Sequence, residues 1–242
     1  MSTLVKVARY HLVQPWQYLL VTWGILAFSF VVSVAIFAIG PSAYGGVPTP
    51  TGIASVAKVN YTGALSSFFI FFFVLGVQSI GRSLPFGLTL GVSRRSFYLG
   101  TALLAVTLAC ADGIAMAVLQ AIERATGGWG VNLGFFRVPY LLNGPWYLTW
   151  LTSFVGLTVL FLYGMWFGIV YRRWNIIGAV AFIAAQVVVL VGAGAVVTLA
   201  HGWTGVGQFF TDLTVAGLTG LLAVLAVALL AGGQATIRRA TV

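Results

Sequence analysis

Six long apolar runs constrain the fold of this chain more than any other feature of its sequence. A transmembrane helix needs ~20 mostly apolar residues, each of which adds ~1.5 Å along the helix axis. Such runs cover residues 16–39, 63–80, 97–121, 146–171, 175–200 and 213–234. A backbone in lipid must satisfy its own hydrogen bonds, and these runs are too long and too continuous for barrel strands. The sequence therefore predicts an all-α polytopic protein with six transmembrane helices.

The scarcity of charge supports the same fold class and limits the partners. Only 6% of the 242 residues are charged and 60% are hydrophobic, whereas a soluble domain carries roughly 25% charged residues. We therefore expect residues 1–242 to form a single transmembrane domain in the lipid bilayer. The net charge of +9 comes from basic residues that stand singly or in pairs between the apolar runs. They do not form the continuous basic stripe that binds nucleic acid, so no nucleic-acid partner is expected.

The distribution of these basic residues predicts how the chain is oriented. If six helices alternate, one side of the membrane receives Lys6, Arg9, Arg82, Arg94, Arg95, Arg172, Arg173, Arg238 and Arg239. The other side receives Lys58, Arg124 and Arg137. Because positive residues are retained inside, this bias predicts that both termini are cytoplasmic. The abundance of Arg over Lys suggests a bacterial genome, and hence the bacterial cytoplasmic membrane.

The segments outside the apolar runs predict two further features. Residues 3–14 have amphipathic spacing, with Lys6 and Arg9 away from the apolar face, which predicts a helix in the membrane interface. A plain cytoplasmic tail is the alternative. The connection at 123–145 is rich in aromatic residues, and such rings commonly settle at a membrane surface. We expect this connection to fold onto that surface.

Enzyme chemistry is not predicted. A phosphate-binding loop needs a lysine after a glycine-rich turn, and neither Lys6 nor Lys58 lies in such a context. His11 and His201 fall on opposite sides of the predicted membrane, and the chain has only three acidic residues. No catalytic residue, metal ligand or cofactor-binding residue can therefore be assigned on this chain.

Polar residues within the apolar runs are candidates for a transport pathway. An ionised Asp112 near the middle of the third run costs ~2.5–3.5 kcal/mol on insertion scales, so it should face protein or water. Gln78, Gln120 and Gln186 could line the same route. The alternative is that all four residues form structural contacts between helices. The segment from Gly164 to Gly168 predicts a small-residue face for close helix packing.

Residues 82–97 predict a short helix followed by the start of a longer one. Ser83 can cap a helix, Pro85 suits a first turn, and Gly91 suits a left-handed residue that ends a helix. Ser93 would then cap the third transmembrane helix, whose first residues are Arg94 and Arg95. This segment is either an interfacial turn with basic anchors or a surface that docks another protein.

The run Leu88-x-x-Gly91-x-Ser93-Arg94-Arg95 resembles the intracellular loop of type-2 ABC transporter permeases, which precedes the third transmembrane helix of that family. The six-helix layout and the basic C-terminal end are similar as well. This chain differs in placing its larger outer loop between the third and fourth helices.

The resemblance implies an ATP-driven exporter in which two permease subunits pair, either as a homodimer or with a paralogue. Each subunit would engage a separate ATPase that carries the ATP and Mg²⁺. The residues implied in ATPase docking are Ser83, Leu84, Pro85, Leu88, Gly91, Arg94 and Arg95. Leu84 and Leu88 lie four residues apart, so they should share one face and form an apolar knob.

The pathway is poor in charge, which favours a lipophilic or amphipathic substrate. Two other functions remain open at this point. One is a secondary transporter or channel that uses an ion gradient, with Asp112 as its coupling residue. The other is a membrane assembly subunit without transport activity.

Overall fold

The structure is a computed structural model that describes residues 20–43, 63–81, 83–89, 91–131, 133–138, 142 and 144–238. Its helices are α1 (Thr22–Ala43), α2 (Ser66–Gly81, preceded by a 3₁₀ turn at Gly63–Leu65), α3 (Ser83–Thr89), α4 (Arg94–Ala125), α5 (Trp146–Leu199), α6 (Trp203–Asp212) and α7 (Val215–Arg238). No β-strand occurs among the described residues. The all-α prediction is therefore confirmed for this part of the chain. The predicted interfacial helix at residues 3–14 lies outside it.

The length and composition of the helices indicate insertion into a membrane. Four of them, α1, α4, α5 and α7, are long and apolar enough to cross a bilayer. Helix α2 is apolar but shorter, with 16 residues. Helix α5 has 54 residues, which corresponds to about 81 Å and exceeds the thickness of any single crossing.

Asn175 divides α5 into two arms. Its backbone is not helical (φ 53°, ψ −152°), and this pair of angles lies outside the left-handed region that Asn tolerates, in a strained region that glycine alone adopts readily. The break lies at the first residue of the predicted fifth apolar run. We call residues 146–174 the first arm of α5 and residues 176–199 the second arm.

A close crossing between α2 and the first arm of α5 forms the centre of the core. Gly76 faces the backbone oxygen of Phe161, and Gly164 faces the backbone oxygen of Phe73, with no room for a side chain at either glycine. Gly168 continues the same contact towards the end of α2. The predicted small-residue face of the fourth run is therefore confirmed, and its partner is α2.

Helix α4 packs on the other side of the first arm, and α7 packs against both. Gly113 brings α4 close to the backbone of the first arm near Trp150. The hydroxyl of Tyr98 in α4 donates to the carbonyl oxygen of Leu230 in α7 over 3.2 Å. Thr152 and Thr219 share a hydrogen bond of 2.8 Å between the first arm and α7.

The second arm of α5 and α6 lie mostly outside this core. Apolar side chains of the second arm such as Leu190 are exposed in the isolated chain, and α6 has no buried residue. The second arm is held near its start by Phe182, whose ring contacts the ring of Trp166. The segment between the fifth and sixth apolar runs is largely a helix, since α6 occupies Trp203–Asp212.

The glycine crossing predicts the effect of a single methyl group. Gly164→Ala should lower the free energy of unfolding by about 1–3 kcal/mol, because the new Cβ collides with the backbone of Phe73. Gly156→Ala is the matched control, since a Cβ there meets nothing within 4 Å on the same helix. Chemical denaturation in detergent micelles measures both variants. Equal stability of the two would contradict this packing.

Candidate functional site

The segment that joins α2 to α4 contains the predicted short helix, α3. The helix begins at Ser83 and ends at Thr89, with Pro85 in its first turn. After it, Gly91 has a φ of 75° and its N–H donates to the carbonyl oxygen of Leu88 over 3.0 Å. The N–H of Val92 donates to the oxygen of Gly87 over 3.2 Å. These two bonds form the Schellman motif that ends a helix, as predicted for Gly91.

Helix α4 restarts immediately after this turn. Ser93 is its N-cap, with an extended backbone, and its side-chain oxygen accepts a hydrogen bond from the N–H of Ser96. The ring of the buried Phe97 lies so close to Gly87 that a Cβ there would be 2.7 Å from it. Helix α3 is therefore held against the first turn of α4.

The side chains of α3 do not all point outward, which corrects one expectation. Leu84 is only 3% exposed and belongs to the core of the chain itself. Leu88 is partly buried against the same core. The expected knob is therefore wrong for Leu84, because α3 uses that side chain to pack onto its own bundle. The free surface of the segment includes Gly91 and Arg95, while Arg94 is half-buried.

Asp112 lies in a contact between two helices. It is 3% exposed, and the indole N–H of Trp23 in α1 donates to its Oδ1 over 3.1 Å. This bond reduces the cost of placing a carboxyl group within an apolar helix bundle, since buried polar groups require partners. In this structure, Asp112 joins α1 to α4.

The three glutamines of the predicted pathway also lie apart from one another. Gln120 is buried, accepts from Thr149 Oγ1 over 2.8 Å, and donates to the carbonyl oxygen of Leu142. Gln186 accepts from the hydroxyl of Tyr163 over 2.6 Å. Gln78 is half-buried on α2. Among the described residues, no hydrogen bond joins any two of the four predicted pathway residues.

A fully buried Glu123 at the end of α4 organises a region that the sequence did not identify as a site. Its carboxylate accepts five hydrogen bonds: from Trp129 Nε1, from the backbone N–H groups of Phe135, Phe136 and Arg137, and from Arg137 Nε. The last of these is also an ion pair of 3.1 Å. We call residues 126–138 the aromatic cap.

The backbone of the aromatic cap curls back over Glu123. Four successive residues, Gly127 to Gly130, have positive φ values. Trp129 is the non-glycine residue among these four, and its N–H donates to Thr126 Oγ1 over 3.1 Å. This curl brings the N–H groups that follow onto a single carboxylate.

The cap is attached to the bundle as well as to Glu123. Phe135 and Phe136 are buried, and Phe30 of α1 lies edge-on to Trp129 with ring centroids 4.8 Å apart. Arg124 Nη2 donates to the carbonyl oxygen of Gly144 over 2.7 Å. These rings therefore pack on α1. The expectation that the connection folds onto the membrane surface stays a prediction.

We expect Glu123→Ala to lower the free energy of unfolding by about 3–5 kcal/mol, because it leaves five donors without their acceptor. Asp212→Ala is the matched control, since Asp212 also lies at a helix end but is exposed. It should change stability by less than about 0.5 kcal/mol. Denaturation followed by tryptophan fluorescence measures both. A Glu123→Ala protein as stable as the control would show that the cap does not depend on this carboxylate.

No protein-family model, curated protein or solved structure matches this chain. Functional proposals for it therefore depend on its own geometry and on the motif at residues 88–95. Of the two regions described above, the α3 segment has exposed groups available to a partner. The aromatic cap has its polar groups engaged within the chain.

Proposed function

We propose that this chain is the membrane-spanning subunit of an ATP-driven ABC-type exporter, and that α3 with the following turn docks a separate ATPase. The observation that carries the proposal is that this segment is bonded at both ends and packed directly against α4. A Schellman motif ends α3, Ser93 caps α4, and Gly87 packs on Phe97. A push on α3 would therefore be passed to the first turn of α4 rather than absorbed by a loose loop.

The side chains divide between contact and support in this proposal. Leu88, Arg94 and Arg95 meet the ATPase in this proposal, and the exposed Arg95 would pair with acidic residues there. The buried Leu84 packs α3 onto the core of the chain. Ser83, Pro85 and Gly91 determine where the helix begins and ends. ATP and Mg²⁺ belong to the partner, because this chain has no phosphate-binding lysine.

The proposed topology has six crossings, formed by α1, α2, α4, the two arms of α5, and α7. Including its 3₁₀ turn, the second crossing spans residues 63–81. The bias of basic residues then places both termini and α3 in the cytoplasm of a bacterial plasma membrane. The exposed second arm of α5 offers apolar surface to lipid or to a second permease subunit, identical or paralogous. A lipophilic or amphipathic substrate fits a bundle so poor in charge.

Cysteine labelling tests this orientation. After Cys110 is replaced, a cysteine at Ser42 should react with a membrane-impermeant maleimide from outside the cell. A cysteine at Ser83 should react only after the membrane is opened. The opposite pattern would overturn the proposed topology.

A second experiment tests the coupling role. In vesicles that contain this chain and an ABC ATPase that co-purifies with it, Leu88→Asp or the pair Arg94→Glu and Arg95→Glu should reduce ATPase binding or uncouple hydrolysis from transport. A loss of about tenfold is expected if a buried interfacial group contributes 1–2 kcal/mol. The pair Arg238→Glu and Arg239→Glu is the control of equal charge change and should do less.

Full binding and coupled transport by the α3 variants would reduce this segment to a membrane anchor. Transport that continues without ATP and stops when the proton gradient collapses would instead favour an ion-driven transporter. In that case Asp112 would be the first residue to replace.

A further inference from the structure

An apolar groove lies on the surface of the bundle where α4, the first arm of α5 and α7 meet. It has a volume of about 480 Å³ and is lined by side chains such as Leu99, Leu103, Val106, Phe154 and Val227. Thr158 is the polar residue of the lining, and its hydroxyl donates to the carbonyl oxygen of Phe154 over 2.8 Å. The groove therefore offers volume in the range of ligand sites, ~300–1,000 Å³, without a free polar group.

Hydrogen bonds attach α7 to the neighbouring helices at both ends of the groove. Tyr98 bonds the Leu230 carbonyl near one end, and Thr152 bonds Thr219 near the other. Between these points three of the lining residues are alanines, Ala102, Ala223 and Ala226, and their short side chains leave space between the helices. The helices are thus fixed apart by their own contacts, and the space is present before any ligand arrives.

Arg95 lies in line with this groove. On α4, the positions 95, 99, 102 and 106 follow one another at helical spacing and share one face. Arg95 is exposed, whereas Arg94 lies about 100° around the helix. From Arg95 to Val106 the helix rises about 16 Å, which is close to half of a hydrocarbon core of ~30 Å. The guanidinium and the groove together therefore match the depth of one lipid leaflet.

No Asp or Glu side chain of this chain is placed to pair with that guanidinium. Its three acidic residues are Asp112, Glu123 and Asp212. The first two are buried and bonded within the bundle, and Asp212 ends α6, near the opposite end of α7 from Tyr98. A second copy that covered the groove symmetrically would bring another Arg95 instead of a counter-charge. The exposed guanidinium is therefore open to an anion from outside the chain.

We propose that the groove and Arg95 form a binding site for an anionic phospholipid, with an acyl chain in the groove and the phosphate on the guanidinium. Arginine binds phosphate through two parallel N–H groups, which suits a headgroup held at the membrane surface. The site requires only that the bundle lies in a membrane. It does not depend on the exporter function proposed above, although both proposals use Arg95, so a lipid phosphate and the ATPase would compete for that guanidinium.

The test uses the full chain, without any ATPase, in nanodiscs of phosphatidylcholine that contain a minor fraction of phosphatidylglycerol with a photoreactive acyl chain. Crosslinks should map to residues 99–106 and 223–230. Arg95→Gln should lower the yield of this labelling about fivefold, the loss expected for one basic group at a charged surface. Arg94→Gln, the matched control, should leave the yield unchanged.

A second pair of variants tests the groove independently of charge. Ala226→Phe should fill it and abolish labelling, whereas Ala228→Phe, which lies on the exposed side of the same helix, should not. Native mass spectrometry of the released protein should show phosphatidylglycerol retained in preference to phosphatidylcholine. Equal labelling by a photoreactive phosphatidylcholine, or labelling that survives both Arg95→Gln and Ala226→Phe, would overturn the site. Crosslinks that join the groove residues of two copies of the chain would overturn it as well, because a second copy would then occupy the groove.

Discussion

The close crossing of α2 over the first arm of α5 is the contact on which the rest of the described structure depends. Gly76 and Gly164 let the two backbones touch, and this close approach gives more van der Waals contact than either helix would make with lipid. In a bilayer, dispersion and geometry must hold helices together, because burial from lipid gains little hydrophobic free energy. Once this pair is fixed, α3 starts from a fixed point at the end of α2, and α4 can pack along the other side of α5.

The buried polar side chains of this bundle bond between separate parts of the chain. Asp112 joins α1 to α4, Gln186 joins the two arms of α5, and Glu123 gathers the aromatic cap. Each of these groups would be costly in an apolar medium without its partner. If this protein transports a solute along these polar groups, the contacts between them and their partners would have to open.

Two adjacent arginines on α4 face different surroundings because a helix turns by about 100° per residue. Arg94 is half-buried, and Arg95 is exposed one helical turn before Leu99, the first residue of the apolar groove. A lipid at Arg95 and a partner at α3 would thus act on the same first turn of α4. If both proposals hold, the anionic lipid content of the membrane would influence the element that receives the push from the ATPase.

The sequence by itself determined the features that depend on neighbours along the chain. The apolar runs specified helices, and Gly91 and Ser93 marked the end of α3 and the start of α4, since a Schellman turn and an N-cap involve only a few consecutive residues. The glycines at 164 and 168 marked a packing face, although not its partner.

Only the tertiary structure decided which surfaces those elements share. Leu84 is periodic with Leu88, yet whether that face meets a partner or the chain's own core depends on where α2 and α4 lie. Glu123 looked like one more polar residue at a helix end, because its five donors come from 6 to 14 residues away and converge only through the curl at 127–130. The groove has no local signal at all: its walls come from three helices distant in sequence, and only their packing leaves the space between them.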